Sequence, residues 1–186
     1  MIITLKVTCV WGAHFEEPCV RTFEIDDSSS LYDFHEAILS SILFERDHLF
    51  GFYLATSWHS RIKEWLGQED DCFDESFDDE ESENEVEEEE SETDDEEIGE
   101  EDDGDEFDAE VSVFRQILLR DIYPIGRRKL FYLFDYGDSW TFEVRKGRKV
   151  KPAEKGVSYP RVIESIGPAP IQYPGEDDWE GEEEED

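Results

Sequence analysis

Lys129-Leu-Phe-Tyr-Leu-Phe-Asp-Tyr-Gly-Asp-Ser-Trp-Thr-Phe-Glu-Val144 is the stretch that decides the fold, and the densest aromatic segment of the chain. Leu130, Tyr132 and Phe134 alternate with Phe131 and Leu133. Successive strand side chains point to opposite faces, so this strand is apolar on both and belongs inside a sheet covered on two sides. Asp135-Tyr-Gly-Asp138 breaks the run. Gly137 is expected to supply a positive φ there, and the aspartates to bond nearby amides, as in a tight turn. In the next run Trp140, Phe142 and Val144 share one face, while Thr141, Glu143 and Arg145 share the other. That pattern predicts a half-solvated partner strand.

Working outward, residues 2–11 place Ile3, Leu5, Val7, Cys9 and Trp11 on one face of a strand. Residues 19–25 give a second strand, interrupted by Arg21, that pairs with the first in antiparallel fashion. Ser30 and Asp33 have capping-box spacing ahead of a helical stripe made by Leu31, Phe34, Ile38 and Ile42. The spacing predicts a helix over 31–43, a third strand over 48–58, and one helical turn over 61–66. A second helix is expected over 111–122, a basic turn over 145–151 and a short strand over 159–164. Together these predict an α+β domain over residues 1–175. Its mainly antiparallel sheet carries two or three helices packed against it.

The charge is unevenly placed. Of 53 acids, 28 fall between Glu69 and Glu110 and 9 between Glu176 and Asp186, with no Lys or Arg in either tract. The remaining 16 acids face all 17 bases, so the rest of the chain is nearly neutral despite a net charge of −36. A halophile spreads acid over its whole surface, so that class is excluded. The composition predicts a disordered acidic insertion at 67–110 and a disordered acidic tail at 176–186. Phe73, Phe77, Val86, Ile98 and Phe107 are the sparse apolar residues of the insertion, either docking points or simply tolerated.

Three cysteines, Cys9, Cys19 and Cys72, make no C-x-x-C pair. That argues against structural zinc or a disulfide framework and for reduced thiols in a cytoplasmic protein. The first residues read as a strand rather than a signal peptide. No apolar run approaches the roughly 18 residues of a membrane span. Nothing in the sequence calls for a cofactor, and nothing in it selects an oligomeric state.

Two groups of residues are candidate sites. Asp135 and Asp138, with His35 or His48, offer carboxylate and imidazole ligands for a divalent ion. The simpler reading has the carboxylates capping turn amides and the histidines bonding at the edge of the core. Arg127, Arg128 and Lys129 precede the aromatic hairpin, and Arg145, Lys146, Arg148, Lys149 and Lys151 follow it. Pairing of the two strands gathers these eight cations into a cluster able to contact nucleic-acid phosphates. A solvated hairpin end, or a counter-charge for the acidic tracts, is the competing reading. The tracts in turn could engage basic proteins. The chain has no H-E-x-x-H, nucleophile elbow or phosphate loop, and Gly126-Arg-Arg-Lys129 is not a Walker sequence.

Tyr132-x-Phe134-Asp135-Tyr136-Gly137-Asp138-x-Trp140 resembles the plasmid pRiA4b ORF-3-like family, with an aromatic, then Asp-aromatic-Gly-Asp, then Trp. Phe34-His35 and Phe44-Glu-Arg-Asp-His48-Leu49 match its pattern in the same order. Cys19-Val-Arg21 replaces its Trp-Arg-Arg. Pro170-Ile-Gln-Tyr-Pro-Gly-Glu-Asp-Asp178 replaces a cysteine-containing segment. The resemblance implies a small α+β protein of unknown activity, of a kind found on plasmids and insertion elements and sometimes labelled a TnpR-type passenger. Tyr132, Gly137 and Trp140 are then motif positions. The balance favours a non-enzymatic interaction module over a metal-dependent enzyme using Asp135, Asp138 and a histidine.

Overall fold

A computed structural model describes residues 1–13, 15, 17–67 and 112–173. The acidic insertion, the acidic tail and Cys72 lie outside the described residues. The strands are β1 (Ile2–Trp11), β2 (Val20–Asp26), β3 (Phe50–Ala55), β4 (Glu64–Trp65), β5 (Lys129–Phe134), β6 (Trp140–Lys151) and β7 (Arg161–Ile166). The helices are α1 (Leu31–Ile42), α2 (residues 112–116) and α3 (Leu119–Ile122). The strands form one antiparallel sheet in the order β4-β3-β5-β6-β1-β2-β7. This is a large antiparallel sheet with few helices.

The aromatic strand β5 is interior, as its two apolar faces require. Leu130, Tyr132 and Phe134 join the main core, under Phe34, Ile38 and Leu39 of α1. Phe131 and Leu133 join Tyr53 and Ala55 in a smaller cluster on the opposite face, roofed by Trp58 and Trp65. Ser30 caps α1 through the expected reciprocal bonds, its hydroxyl accepting from the Asp33 N–H at 3.0 Å and Asp33 accepting from the Ser30 N–H at 2.9 Å. The helix stops where Leu43 turns left-handed at φ 62°.

Five expectations are corrected. The helix over 111–122 is broken at Ile117–Leu118, because the chain there pairs with the loop entering α1. Leu31 donates to the Ile117 carbonyl at 2.9 Å, and Leu119 donates to the Ser29 carbonyl at 3.0 Å. Residues 61–66 make the edge strand β4 rather than a helical turn, since Glu64 and Trp65 pair with Leu54 and Tyr53. The basic turn over 145–151 is instead the second half of β6, which runs past β5 and pairs with β1 as far as Ile2↔Lys151. Trp11 leaves the core face: a register shift between Cys9 and Trp11 sets it opposite Thr141, 48% exposed and stacked on Trp58 at 5.3 Å. The face shared by Thr141 and Glu143 is buried, not solvated, and only Arg145 reaches water.

Candidate functional site

The turn after β5 is built by Asp135. Its Oδ1 accepts from the Gly137 N–H at 2.9 Å and the Asp138 N–H at 3.3 Å, and its carbonyl accepts from the Ser139 N–H at 2.6 Å. The left-handed residues are Asp135 (φ 56°) and Ser139 (φ 55°), not Gly137. Gly137 instead sits close to the carboxylate: a Cβ there would lie 3.2 Å from the Asp135 Oδ1.

The four residues considered for a metal are divided. His35 is buried in the core, stacked on Phe50 with ring centroids 3.7 Å apart, its Nδ1 2.7 Å from the Tyr132 hydroxyl. Burial, aided by the nearby Arg46 charge, pushes its pKa down to about 3, so it is neutral at ordinary pH. The same burial raises the Tyr132 hydroxyl well above its ordinary value. His48 does approach Asp135, its Nε2 3.5 Å from Oδ2. Asp138 is tied in through its carbonyl, which accepts from the Ala13 N–H at 3.0 Å. Among the described residues, no three His, Cys, Asp or Glu side chains are grouped to hold a metal ion.

What does meet His48 is a segment 125 residues further on. Its Nε2 is 2.8 Å from the Tyr173 hydroxyl, which donates to Asp47 Oδ2 at 2.5 Å. The hydroxyl has one proton and gives it to the hydrogen bond with Asp47, so His48 must be the donor to Tyr173. Gln172, buried, donates to Asp47 Oδ1 and accepts from the Glu45 N–H at 2.6 Å. Burial and the Asp47 bond raise Tyr173 to about 12, and the Tyr173 bond holds Asp47 below the usual carboxylate range. Gln172 and Tyr173 look like plain turn residues in the sequence. The one signal was an amide and a phenol set among prolines, opposite an Asp-His pair.

The eight cations are partly brought together and partly neutralised. Arg128 pairs with Glu64, Lys129 and Arg145 both clamp Glu143, and Lys151 bridges Glu24 at 2.6 Å and Glu154 at 2.8 Å. Burial raises Glu143, but the bonds from Lys129 and Arg145 outweigh it and hold the carboxyl below its ordinary range. Lys146 lies over the Tyr123 ring, 4.9 Å from its centroid. Arg127, Lys146, Arg148 and Lys149 have no carboxylate partner among the described residues. Two of them stand on a bulge. Ile3 is opposite Val150 and Leu5 is opposite Lys146, so one β1 residue faces the three β6 residues Gly147, Arg148 and Lys149. Such bulges re-aim side chains at sheet margins.

A sequence model described as plasmid pRiA4b ORF-3-like protein matches residues 2–177. The crystal structure of a protein of unknown function, MM3350 from Methanosarcina mazei Go1, is similar in fold, with a TM-score of 0.55 and 19% identity. The similarity covers 90% of this chain and 70% of that one, and at that identity it concerns the fold alone. No curated protein matches the chain.

Proposed function

The chain belongs to the plasmid pRiA4b ORF-3-like family, and from that premise we propose that it is a non-enzymatic module that contacts nucleic acid. On this reading it acts in the cytoplasm, as a passenger protein of plasmids and insertion elements. The carrying observation is the margin of β6: Lys146, Arg148 and Lys149, with Arg127 nearby in sequence to β5, lack carboxylate partners among the described residues. Two of these cations stand on a bulge beyond the start of β5. Phosphates are the partners such a margin suits, and they bring a steep dependence on salt.

The acidic tracts modulate this contact. A tethered polyanion reaches effective concentrations of about millimolar and competes with an outside one. The residues that flank the insertion meet, since a Cβ on Gly67 would lie 2.7 Å from Val113 Cγ1.

The test uses the full chain and a full-length variant with the acids of 69–110 changed to their amides. The expectation is weak DNA binding by the first and firm, salt-sensitive binding by the second, lost in Arg148→Glu/Lys149→Glu. With about four phosphate contacts, the logarithm of affinity falls with that of salt with a slope near −3 to −4. If neither protein binds DNA or RNA at low salt, the reading fails. Capture of basic proteins by the acidic tracts then becomes the function to pursue.

A further inference from the structure

The sheet has a second face that no helix of the described residues covers. Phe34 and Ile38 of α1, Phe114 of α2 and Leu119 of α3 all pack into the main core on the other side. On this face Tyr53, Phe131, Thr141 and Glu143 are buried, with Trp58 and Trp65 packed on the first two, and Lys6, Arg145 and Trp11 are exposed. Tyr53, Phe131 and Glu143 are consecutive cross-strand partners, with Trp65 beside Tyr53 and Thr8 beside Glu143. One step along, Lys6 lies directly opposite Arg145, and Lys129 precedes the Leu130↔Val144 pair. At the other margin Trp11 sits opposite Thr141 and stacks on Trp58.

Two features of this face are costly for a purely structural surface. Like charges placed directly opposite in an antiparallel pair destabilise it, and Lys6↔Arg145 is such a pair. With Lys129 they form a row of three cations: Lys129 and Arg145 share Glu143, while Lys6 has no ion pair among the described residues and faces Thr22, whose hydroxyl bonds Glu164. The same face carries three tryptophans: Trp11 is half exposed and stacked on Trp58, and Trp58 and Trp65 are partly buried against Tyr53 and Phe131.

We infer that the exposed residues of this helix-free face bind single-stranded nucleic acid, its phosphates along Lys129, Arg145 and Lys6 and its bases against Trp11, Trp58 and Trp65. The inference rests on the nucleic-acid reading above and names the form of the ligand. Single strands expose base faces that stack on aromatic side chains, whereas a duplex hides them. An aromatic bank beside a cation row thus selects the unpaired form.

The experiment measures tryptophan fluorescence quenching and anisotropy with oligothymidylate, oligouridylate and a duplex of equal length, on the full chain and the full-length variant with an amidated tract. The expected result is preference for single strands by about tenfold or more, and a loss of about tenfold in Trp11→Ala or Trp58→Ala with duplex binding unchanged. Lys6→Gln weakens oligonucleotide binding severalfold while the thermal midpoint stays level or rises, since a repelled pair has been relieved. Equal affinity for duplex, unchanged binding in both tryptophan variants, or a Lys6→Gln variant that binds as before overturns the inference. Duplex binding that needs Arg148 and Lys149 but not the tryptophans leaves the interaction margin standing and removes the helix-free face. Binding of neither form removes both.

Discussion

His35 gives the prediction worked furthest from the structure. Its ring is stacked on Phe50, bonded to Tyr132 and out of water, and its pKa falls to about 3 from an ordinary 6.5. The unfolded chain therefore binds one more proton than the native one between those two values. Stability from this residue is complete above pH 6.5 and is lost steadily as pH falls toward 3. Each unit is worth about 1.4 kcal/mol, so lowering the pH from 6.5 to 4.5 costs about 2–3 kcal/mol through His35 alone. The carboxylates held below their ordinary range, Glu24, Asp26, Asp47 and Glu143, contribute in the same direction but at lower pH, as they protonate. The window from 6.5 to 4.5 thus belongs mainly to the histidine. Urea unfolding across it should show the midpoint falling by about 1 M or more in the natural chain. In His35→Asn, whose side-chain oxygen can replace Nδ1 as the partner of Tyr132, the fall should be largely absent. Proton NMR should show no His35 titration above pH 5. A titration near 6.5, or equal pH slopes in both proteins, would refute the reasoning and reopen His35 as an acid-base or metal-binding group.

Three further outcomes are expected. Gly12→Ala puts a Cβ against Trp140 ring carbons, 2.7 Å from Cδ2, and calorimetry should show a loss of about 1–3 kcal/mol or more from overpacking. Deleting residues 69–110 should leave the circular dichroism of the domain intact and raise its stability by about 1–2 kcal/mol, because a long loop closes at less cost once shortened. The meeting of Gly67 with Val113 is the geometry that permits it. Tyr173→Phe removes the bond that holds Asp47 low, so the Asp47 pKa should rise toward its ordinary value by carbonyl NMR, and proteases should cut nearer residue 170.

The features legible in the sequence are those fixed by local pattern. Two-sided apolarity at Leu130–Phe134 placed an interior strand, and Ser30 with Asp33 placed the start of α1. The features missed are those set by partners distant in sequence. Arg145–Lys151 has a glycine among cations and reads as a turn, yet β1 supplies an edge that extends it as strand. Residues 111–122 have helical spacing, yet Ser29 and Leu31 offer backbone partners at Leu119 and Ile117 that end the helix between them. Arg21 interrupts an apolar strand and looked like a defect. It is buried because Ser41, Val20, Ile166 and Gly167 turn carbonyl oxygens toward its guanidinium.

The same contrast bears on where function should be sought. The DYGD turn drew attention because its residues are chemically suggestive in a row, but the structure uses Asp135 to hold Gly137 and Asp138. The cations looked like one cluster, yet half of them meet carboxylates of the folded domain itself. What remains uncompensated, Arg148 and Lys149 on a bulge and Lys6 facing Arg145, could not be singled out by counting charge. Strand register decides it, and register is set by pairings between β1 and β6 from Trp11↔Thr141 to Ile2↔Lys151, far apart in sequence. A carboxylate at Lys6 would relieve the repulsion with Arg145. The chain has a third cation there instead, which on the single-strand reading proposed above serves an anionic ligand.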